Sequence, residues 1–320
     1  MKHHVLVFLM AAGAAAAPGA QAPPGADPTY VPQRVHDSSA GEFVDFEVML
    51  VSLAKADVVF VGEQHDDSAT HRLERAVLEG LARRRRPIVV ALEMFERDVQ
   101  SALDEYLSGR LAEFAFLRQA RPWPRYDTDY RPLVELAKYR NWPVIAANVP
   151  RRLASAVGKS GLEAVSGLST EERALIARDI SCPEDGYFRR FADEMQAHPA
   201  SGHAAPDQAK VAEQQAMVKR FYEAQCIKDE TMAESVAHAF VAGGGSRPVI
   251  VHFNGAFHSD YFQGAAQRTM RRLPDATVRV ITMVPVDDLD TLRPEEHSKR
   301  ADFVVFTLRP SRPAPIGTGR

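Results

Sequence analysis

A chain of 320 residues with 45% hydrophobic and 25% charged side chains and a formal net charge of −3 can bury a large core and belongs with ordinary globular proteins. The near-neutral balance, broken by one short basic run at residues 83–86 that reads as a solvated helix end, excludes nucleic acid as a partner. The two cysteines, Cys182 and Cys226, exclude a disulfide scaffold and a Cys-rich zinc site, and leave open either a single bridge in an oxidising compartment or two isolated thiols.

The chain opens with Lys2 ahead of an apolar run at 5–10, an Ala-rich stretch to Ala17 and a Pro/Gly/Ala-rich segment to residue 28. Together these read as a secretory signal and linker over 1–28, with Ala16 or Ala22 as the cleavage point. The apolar run falls short of the ~20 residues that a bilayer-spanning helix needs. The mature protein is therefore expected without a transmembrane segment, exported across the inner membrane to the periplasm. No cysteine lies near the signal, which argues against a lipoprotein.

Residues 29–149 carry the first part of an α/β domain. A helix over 42–53 leads into a strand at 58–61, and the loop Gly62-Glu63-Gln64-His65 follows. Apolar Leu73, Val77, Leu78 and Leu81 then recur at helical spacing within 71–84. The next apolar run, 88–92, ends on Glu93, which completes a right-handed strand–helix–strand crossover. Helices at 95–107 and 111–117, an aromatic loop with Trp123, Tyr126 and Tyr130, and a helix at 132–140 feed a strand at 144–147 that ends on Asn148.

From 150 to 245 the strand pattern disappears, and 151–158, 170–179, 184–197 and 207–242 read as an all-helical insertion with a mobile loop at 198–206. Residues 246–309 return to the α/β domain. Gly243, Gly244 and Gly245 stop the long helix, a strand at 248–253 precedes Asn254 and the loop Gly255-Ala256-Phe257-His258, and strands follow at 278–284 and 303–308. The Pro-rich tail, 310–320, is expected to be disordered. Regular alternation of this kind predicts a largely parallel central sheet flanked by helices.

GxxH thus occurs twice, each time directly after a strand. In an open parallel sheet the ligand site lies beyond the carboxyl ends of the strands, so Glu63, His65, Glu93, Asn148, Asn254 and His258 are expected to converge. His65 and His258 with Glu63 or Glu93 can hold a divalent metal and leave a position for water, the remaining carboxylate taking the water proton. Without a metal, His258 or Glu93 serves directly as general base. A lone carboxylate at a strand end usually caps a helix; four such groups together point to a functional site. His252, inside its strand, reads as a core histidine.

The segments Val59-Phe60-Val61-Gly62-Glu63-Gln64-His65-Asp66-Asp67, Ala91-Leu92-Glu93-Met94-Phe95 and Asn254-Gly255-Ala256-Phe257-His258 resemble the ChaN family of the haem-binding uptake and Tiki superfamily. So do Tyr130-Arg131-Pro132, Ala147-Asn148-Val149-Pro150-Arg151 and Lys228-Asp229-Glu230-Thr231-Met232-Ala233. The resemblance implies a haem- or iron-binding protein of the bacterial envelope, with Glu63, His65, Glu93 and His258 as the positions that carry over. Related Tiki, TraB and erythromycin esterase branches are hydrolases, so a metal-dependent hydrolase is the alternative expectation. A non-enzymatic envelope module, binding a partner through Val211, Met217, Val218 and Phe221, is the third.

Haem requires an axial ligand, for which His71, Tyr126 and Tyr130 are candidates; Asn148 and Asn254 are expected as further cofactor-binding positions. Tyr187, Tyr222, His198 and His203 offer further side chains of the right type. The partner implied is haem or a small-molecule ligand, and a homodimer is left open. No CxxCH sequence is present, which excludes covalent c-type haem.

Overall fold

The computed structural model describes residues 30–84, 87–197 and 208–309. The expected signal segment, the loop at 198–206 and the tail from 310 lie outside them. The first elements are β1 (Gln33–Asp37), β2 (Glu42–Val44), α1 (Phe46–Leu53), β3 (Val58–Glu63), α2 (Ser68–Ala82) and β4 (Ile88–Glu96). Next come α3 (Gln100–Leu107), α4 (Glu113–Ala120), α5 (Tyr126–Asp129), α6 (Arg131–Arg140) and β5 (Val144–Asn148). A run of helices follows, α7 (Arg151–Ser160), α8 (Thr170–Arg173), α9 (Gly186–Ala197) and α10 (Gln208–Ala242). The chain closes with β6 (Val249–Gly255), α11 (Gly264–Arg272), β7 (Val278–Val286) and β8 (Phe303–Leu308).

These strands form one eight-stranded sheet in the order β2-β1-β8-β7-β3-β6-β4-β5. From β8 to β5 all pairings are parallel, and β1 and β2 add an antiparallel hairpin at one edge. Strand residues alternate between two apolar layers, as period-two geometry requires. Val59, Val61, Val90, Leu92, Val251 and Phe253 face the cluster shared with α2, α3 and α6. Val58, Phe60, Ala91 and Ile250 face the cluster that holds Met232 and Val236 of α10 and Ala265 and Ala266 of α11. The C-terminal half of α10 is therefore the layer that covers the second face of the sheet, although it lies in the stretch that reads as an insertion.

Chain winding explains where a site belongs. From β3 the chain crosses through α2 to β4 and β5 on one side; from β6 it crosses through α11 to β7 and β8 on the other. The crevice at such a reversal opens at the carboxyl ends of the two central strands, here β3 and β6. They are direct neighbours, with Gly62 opposite Asn254 and Glu63 opposite Gly255. The two GxxH loops accordingly emerge side by side.

Several local expectations shift. Residues 42–44 pair with β1 instead of opening a helix, because β-forming Phe43 and Val44 can complete a hairpin edge; α1 starts only after Asp45. Strand β4 continues to Glu96, and its pairing with β5 is irregular between Leu92 and Glu96, so Glu93 sits within the strand where the pleat is broken. Such irregularities re-aim side chains. The helix expected from Phe95 starts at Gln100 because Phe95 is a buried core ring, and α8 covers only the first turn of 170–179. Arg83 and Arg84 pair with Glu47 of α1 at 2.8 and 2.9 Å. Cys182 and Cys226 form a disulfide with Cα atoms 5.8 Å apart, tying the segment before α9 to α10.

Candidate functional site

The glycines of both loops sit at close approaches. A Cβ on Gly62 would lie 3.1 Å from the Ala256 Cα and the Ser259 Oγ, and one on Gly255 would lie 2.7 Å from His65 Nε2. The first loop is thereby packed against the second, with the His65 ring over Gly255. Asn254 fixes this corner, its amide donating to the Gly255 carbonyl at 2.8 Å and to Ser259 Oγ at 3.0 Å. Asn148 donates to the Glu93 carbonyl at 3.0 Å. Both asparagines hold backbone in place rather than line the crevice.

Around Gly255 stand two carboxylate–imidazole systems. In the first, Glu63 is buried and its Oε1 accepts from His65 Nδ1 and from the Tyr130 hydroxyl at 2.9 Å. Burial would raise the Glu63 carboxyl, but hydrogen bonds from His65 and His71 bring it down to about 2. The His65 side chain is 48% exposed, and Trp123 packs edge-on at 5.2 Å. Burial works against its charge, but the Glu63 hydrogen bond and the negative charges of Glu93 and Glu63 raise it above the ordinary imidazole value. With Nδ1 tied to a carboxylate, Nε2 is the reactive face of this ring.

In the second system, Glu93 accepts from the Gly255 amide at 2.8 Å and lies 3.2 Å from His258 Nε2. His258 Nδ1 lies 2.6 Å from Asp229 Oδ1, whose other oxygen accepts from the Tyr187 hydroxyl at 2.8 Å. Burial disfavours the imidazolium, yet Glu93 and Asp229 raise it to about 9, while the same contact holds Glu93 far below the usual carboxylate range against its burial. His258 is thus a buried cation held at both nitrogens.

The expected metal trio of Glu63, His65 and His258 is not what the fold gathers most tightly. His258 is committed to Glu93 and Asp229; instead, ligand atoms of Glu63, His71 and Glu74 lie within 4.8 Å of one another. Asp229 and Gln225, the latter 3.2 Å from His258 Nε2, are not singled out by the sequence, although Asp229 lies in one of the segments that carry the family resemblance; Tyr187, a candidate haem ligand by its side chain, serves instead as a donor to Asp229.

Tyr126 is not at the site, because it packs in the core against Phe95 and Phe116 at 6.0 and 6.4 Å. Tyr130 reaches it only as a donor. Burial and the Glu63 charge keep its phenol well above the ordinary value, so its proton stays on. Tyr187 is likewise a buried donor, and Tyr222 donates to the Pro183 carbonyl at 2.8 Å. His71 is buried on α2, and His198 and His203 fall outside the described residues. His252 donates to the Ala91 carbonyl at 3.2 Å and is lowered by burial to about 4, the state of a core histidine. Of the α10 stripe, Val218 is buried whereas Met217 and Phe221 are exposed.

A polar cleft of about 370 Å³ adjoins His65 through Trp123, lined also by Pro122, Pro124, Arg121, Arg151 and Arg152. A more apolar cleft of about 860 Å³ lies between α9 and α10, against Phe188, Val211 and Val218.

Residues 49–269 match the family model described as haem-binding uptake, Tiki superfamily, ChaN. The chain belongs to this family. It folds like ChaN of Campylobacter jejuni, a structure described as showing cofacial haem binding, with a TM-score of 0.63 and 17% identity over 86% of this chain and 96% of that one. It is also 26% identical, over 87% of its length, to Protein RETICULATA-RELATED 5, chloroplastic, of Arabidopsis thaliana, and spans 38% of that relative. A looser likeness to an erythromycin esterase, with a TM-score of 0.43 and 12% identity over 87% of this chain and 83% of that one, carries no argument about the site.

Proposed function

We propose that this ChaN-family protein binds haem at the crevice between β3 and β6, and that His65 Nε2 is the protein group offered to the iron. The observation that carries this reading is the state of His65, a half-exposed imidazole whose Nδ1 is held by a buried carboxylate. Ligating histidines are oriented and made more basic by that kind of partner. The donor set fits the group. Trp123 packs beside His65, Pro122 and Pro124 extend that apolar wall, and Arg151 supplies a cation on the same cleft for a carboxylate of a porphyrin, the cleft's Glu96 and Asp98 being paired with Arg121 and its Arg152 with Glu172. When bound, haem would supply an iron centre for storage, transfer or redox chemistry. This chain's residues bind and orient it, with Glu63 fixing the His65 ring and Tyr130 fixing Glu63.

The test is a haemin titration of the wild type and His65→Ala, read in the Soret region. Saturable, stoichiometric binding that is lost in the variant supports the reading; equal binding by both rejects His65, and no saturable binding rejects haem. We place the protein in the periplasm, in iron uptake. The amino-terminal sequence and the Cys182–Cys226 bridge, a bond suited to an oxidising compartment, support this, and a fractionation with alkaline phosphatase fusions tests it.

One observation favours a second reading, a hydrolase. The position a Cβ of Gly255 would occupy lies 2.7 Å from His65 Nε2 and 3.7 Å from Glu93 Oε2, so imidazole and carboxylate flank one point above a bare backbone. Either group can act as general base toward a water brought to this corner by a substrate. Turnover of model esters or amides that is abolished by His65→Ala and Glu93→Gln, with no saturable haemin binding, would select this reading.

A further inference from the structure

Behind His65 lies a set of polar groups that neither reading uses. His71 and Glu74, three residues apart on α2, face Glu63 at the end of β3. His71 Nδ1 is 2.9 Å from Glu74 Oε2 and 3.2 Å from Glu63 Oε2. Its other nitrogen, Nε2, lies 3.2 Å from the His65 carbonyl and 3.5 Å from Asp129 Oδ2. Both of those neighbours are acceptors, so Nε2 carries a hydrogen, while Nδ1 faces the two carboxylates: it donates to them when protonated, and a cation that displaces that proton would take its lone pair.

That arrangement gathers two carboxylates on one imidazole nitrogen in a site closed to water. Glu63 is 1% exposed and Glu74 fully buried, and Glu63 Oε2 and Glu74 Oε1 accept no hydrogen bond of ordinary geometry. Unpaired buried carboxylate oxygens are costly and call for an explanation. A proton shared with Nδ1 serves one contact and leaves the remaining oxygens unmatched.

We propose that Glu63, His71 and Glu74 bind a divalent first-row transition metal ion of the zinc or manganese kind. One imidazole and two carboxylates form a mixed nitrogen–oxygen set suited to those ions. Ligand bonds of about 2.0 to 2.2 Å place neighbouring ligand atoms about 2.8 to 3.6 Å apart in octahedral or tetrahedral geometry; the two imidazole-to-carboxylate separations are 2.9 and 3.2 Å, and all three ligand atoms lie within 4.8 Å of one another. The hydrogen bond from His71 Nε2 to a backbone carbonyl is the outer partner that a ligating histidine uses to fix its tautomer. The ion would hold Glu63 by Oε2 while Oε1 holds His65 and Tyr130, so its role is to position the exposed imidazole. This assignment is independent of what His65 binds.

The experiment measures metal content by mass spectrometry, on full-length protein stripped with chelator and refolded with Zn²⁺ or Mn²⁺ alone. Refolding is used because a site this enclosed loads most readily as the chain folds. The expected result is one equivalent in the wild type and in His65→Ala, falling at least tenfold in His71→Gln and Glu74→Gln. Less than a tenth of an equivalent in the wild type overturns the proposal, as does metal lost with His65→Ala but kept in Glu74→Gln. Should the inner variants not fold, X-ray absorption on the loaded wild type decides. One imidazole among oxygen ligands supports the site, and two or more imidazoles overturn it.

Discussion

Asp229→Asn tests the account of His258 as a buried cation. The substitution keeps shape and removes one of the two carboxylates at the imidazole. His258 is raised from 6.5 to about 9, and at about 1.4 kcal/mol per pKa unit the raised value corresponds to about 3 kcal/mol of stability from the charged ring. Because the folded value lies above the unfolded one, this contribution is complete below pH 6.5 and disappears as pH rises through 9. Sharing it between Glu93 and Asp229 gives about 2 kcal/mol lost in the variant at pH 6, shrinking toward zero by pH 10. Loss of a buried carboxylate also shifts stability by a pH-independent amount, so the informative quantity is how the wild-type minus variant difference changes with pH. Urea denaturation of both proteins at unit pH steps from 6 to 10 measures it. Other titrating groups, including His71, cancel in the difference. Stability curves that run parallel across this range would refute the assignment of an Asp229-bound imidazolium.

Gly255→Ala should displace the His65 ring, since the new Cβ would sit 2.7 Å from Nε2; ligand binding is expected to fall more than tenfold with less than about 2 kcal/mol of stability lost, measured by haemin titration and urea midpoint. His65 must lose its Nε2 proton to bind a metal centre. Its raised value therefore predicts haem affinity that still increases as pH climbs past the ordinary imidazole range, and a flat profile from pH 6 to 9 would count against His65. Reducing the disulfide, or Cys182→Ser with Cys226→Ser, releases a 44-residue loop and should cost up to about 4 kcal/mol by the loop-entropy relation. Calorimetry with and without reductant measures that loss, and an unchanged Tm would show that the bridge is not formed in solution.

Much of the site could be anticipated because its groups follow strands. A run such as 88–92 announces a buried strand, and the first polar residue after it, Glu93, must emerge near the sheet's end. The same logic located Glu63, His65, Asn254 and His258. It failed where the chain does not repeat a simple period. Glu93 proved to lie within a longer, irregular β4, and Tyr126, which reads as a loop aromatic, became a core ring. Glu74 and Asp229 sit in helices whose polar residues look like solvated faces, and both are fully buried. For Asp229 the partner that makes burial tolerable, His258, arrives from elsewhere in the fold, and although His71 is a local i,i+3 neighbour of Glu74, the Glu63 carboxylate that faces them both comes from β3.

By itself, the amino-acid sequence determined the alternation of strands and helices, the parallel sheet and the two GxxH loops, since these rest on hydrophobic period and on residues adjacent in the chain. Only the tertiary structure decided that β3 and β6 are neighbours, that His65 faces outward while His71 is enclosed, and that Asp229 of α10 stands against His258. Those outcomes depend on burial and on charges brought together across long stretches of chain, where desolvation makes each imidazole and carboxylate answer to its neighbours in space rather than in sequence.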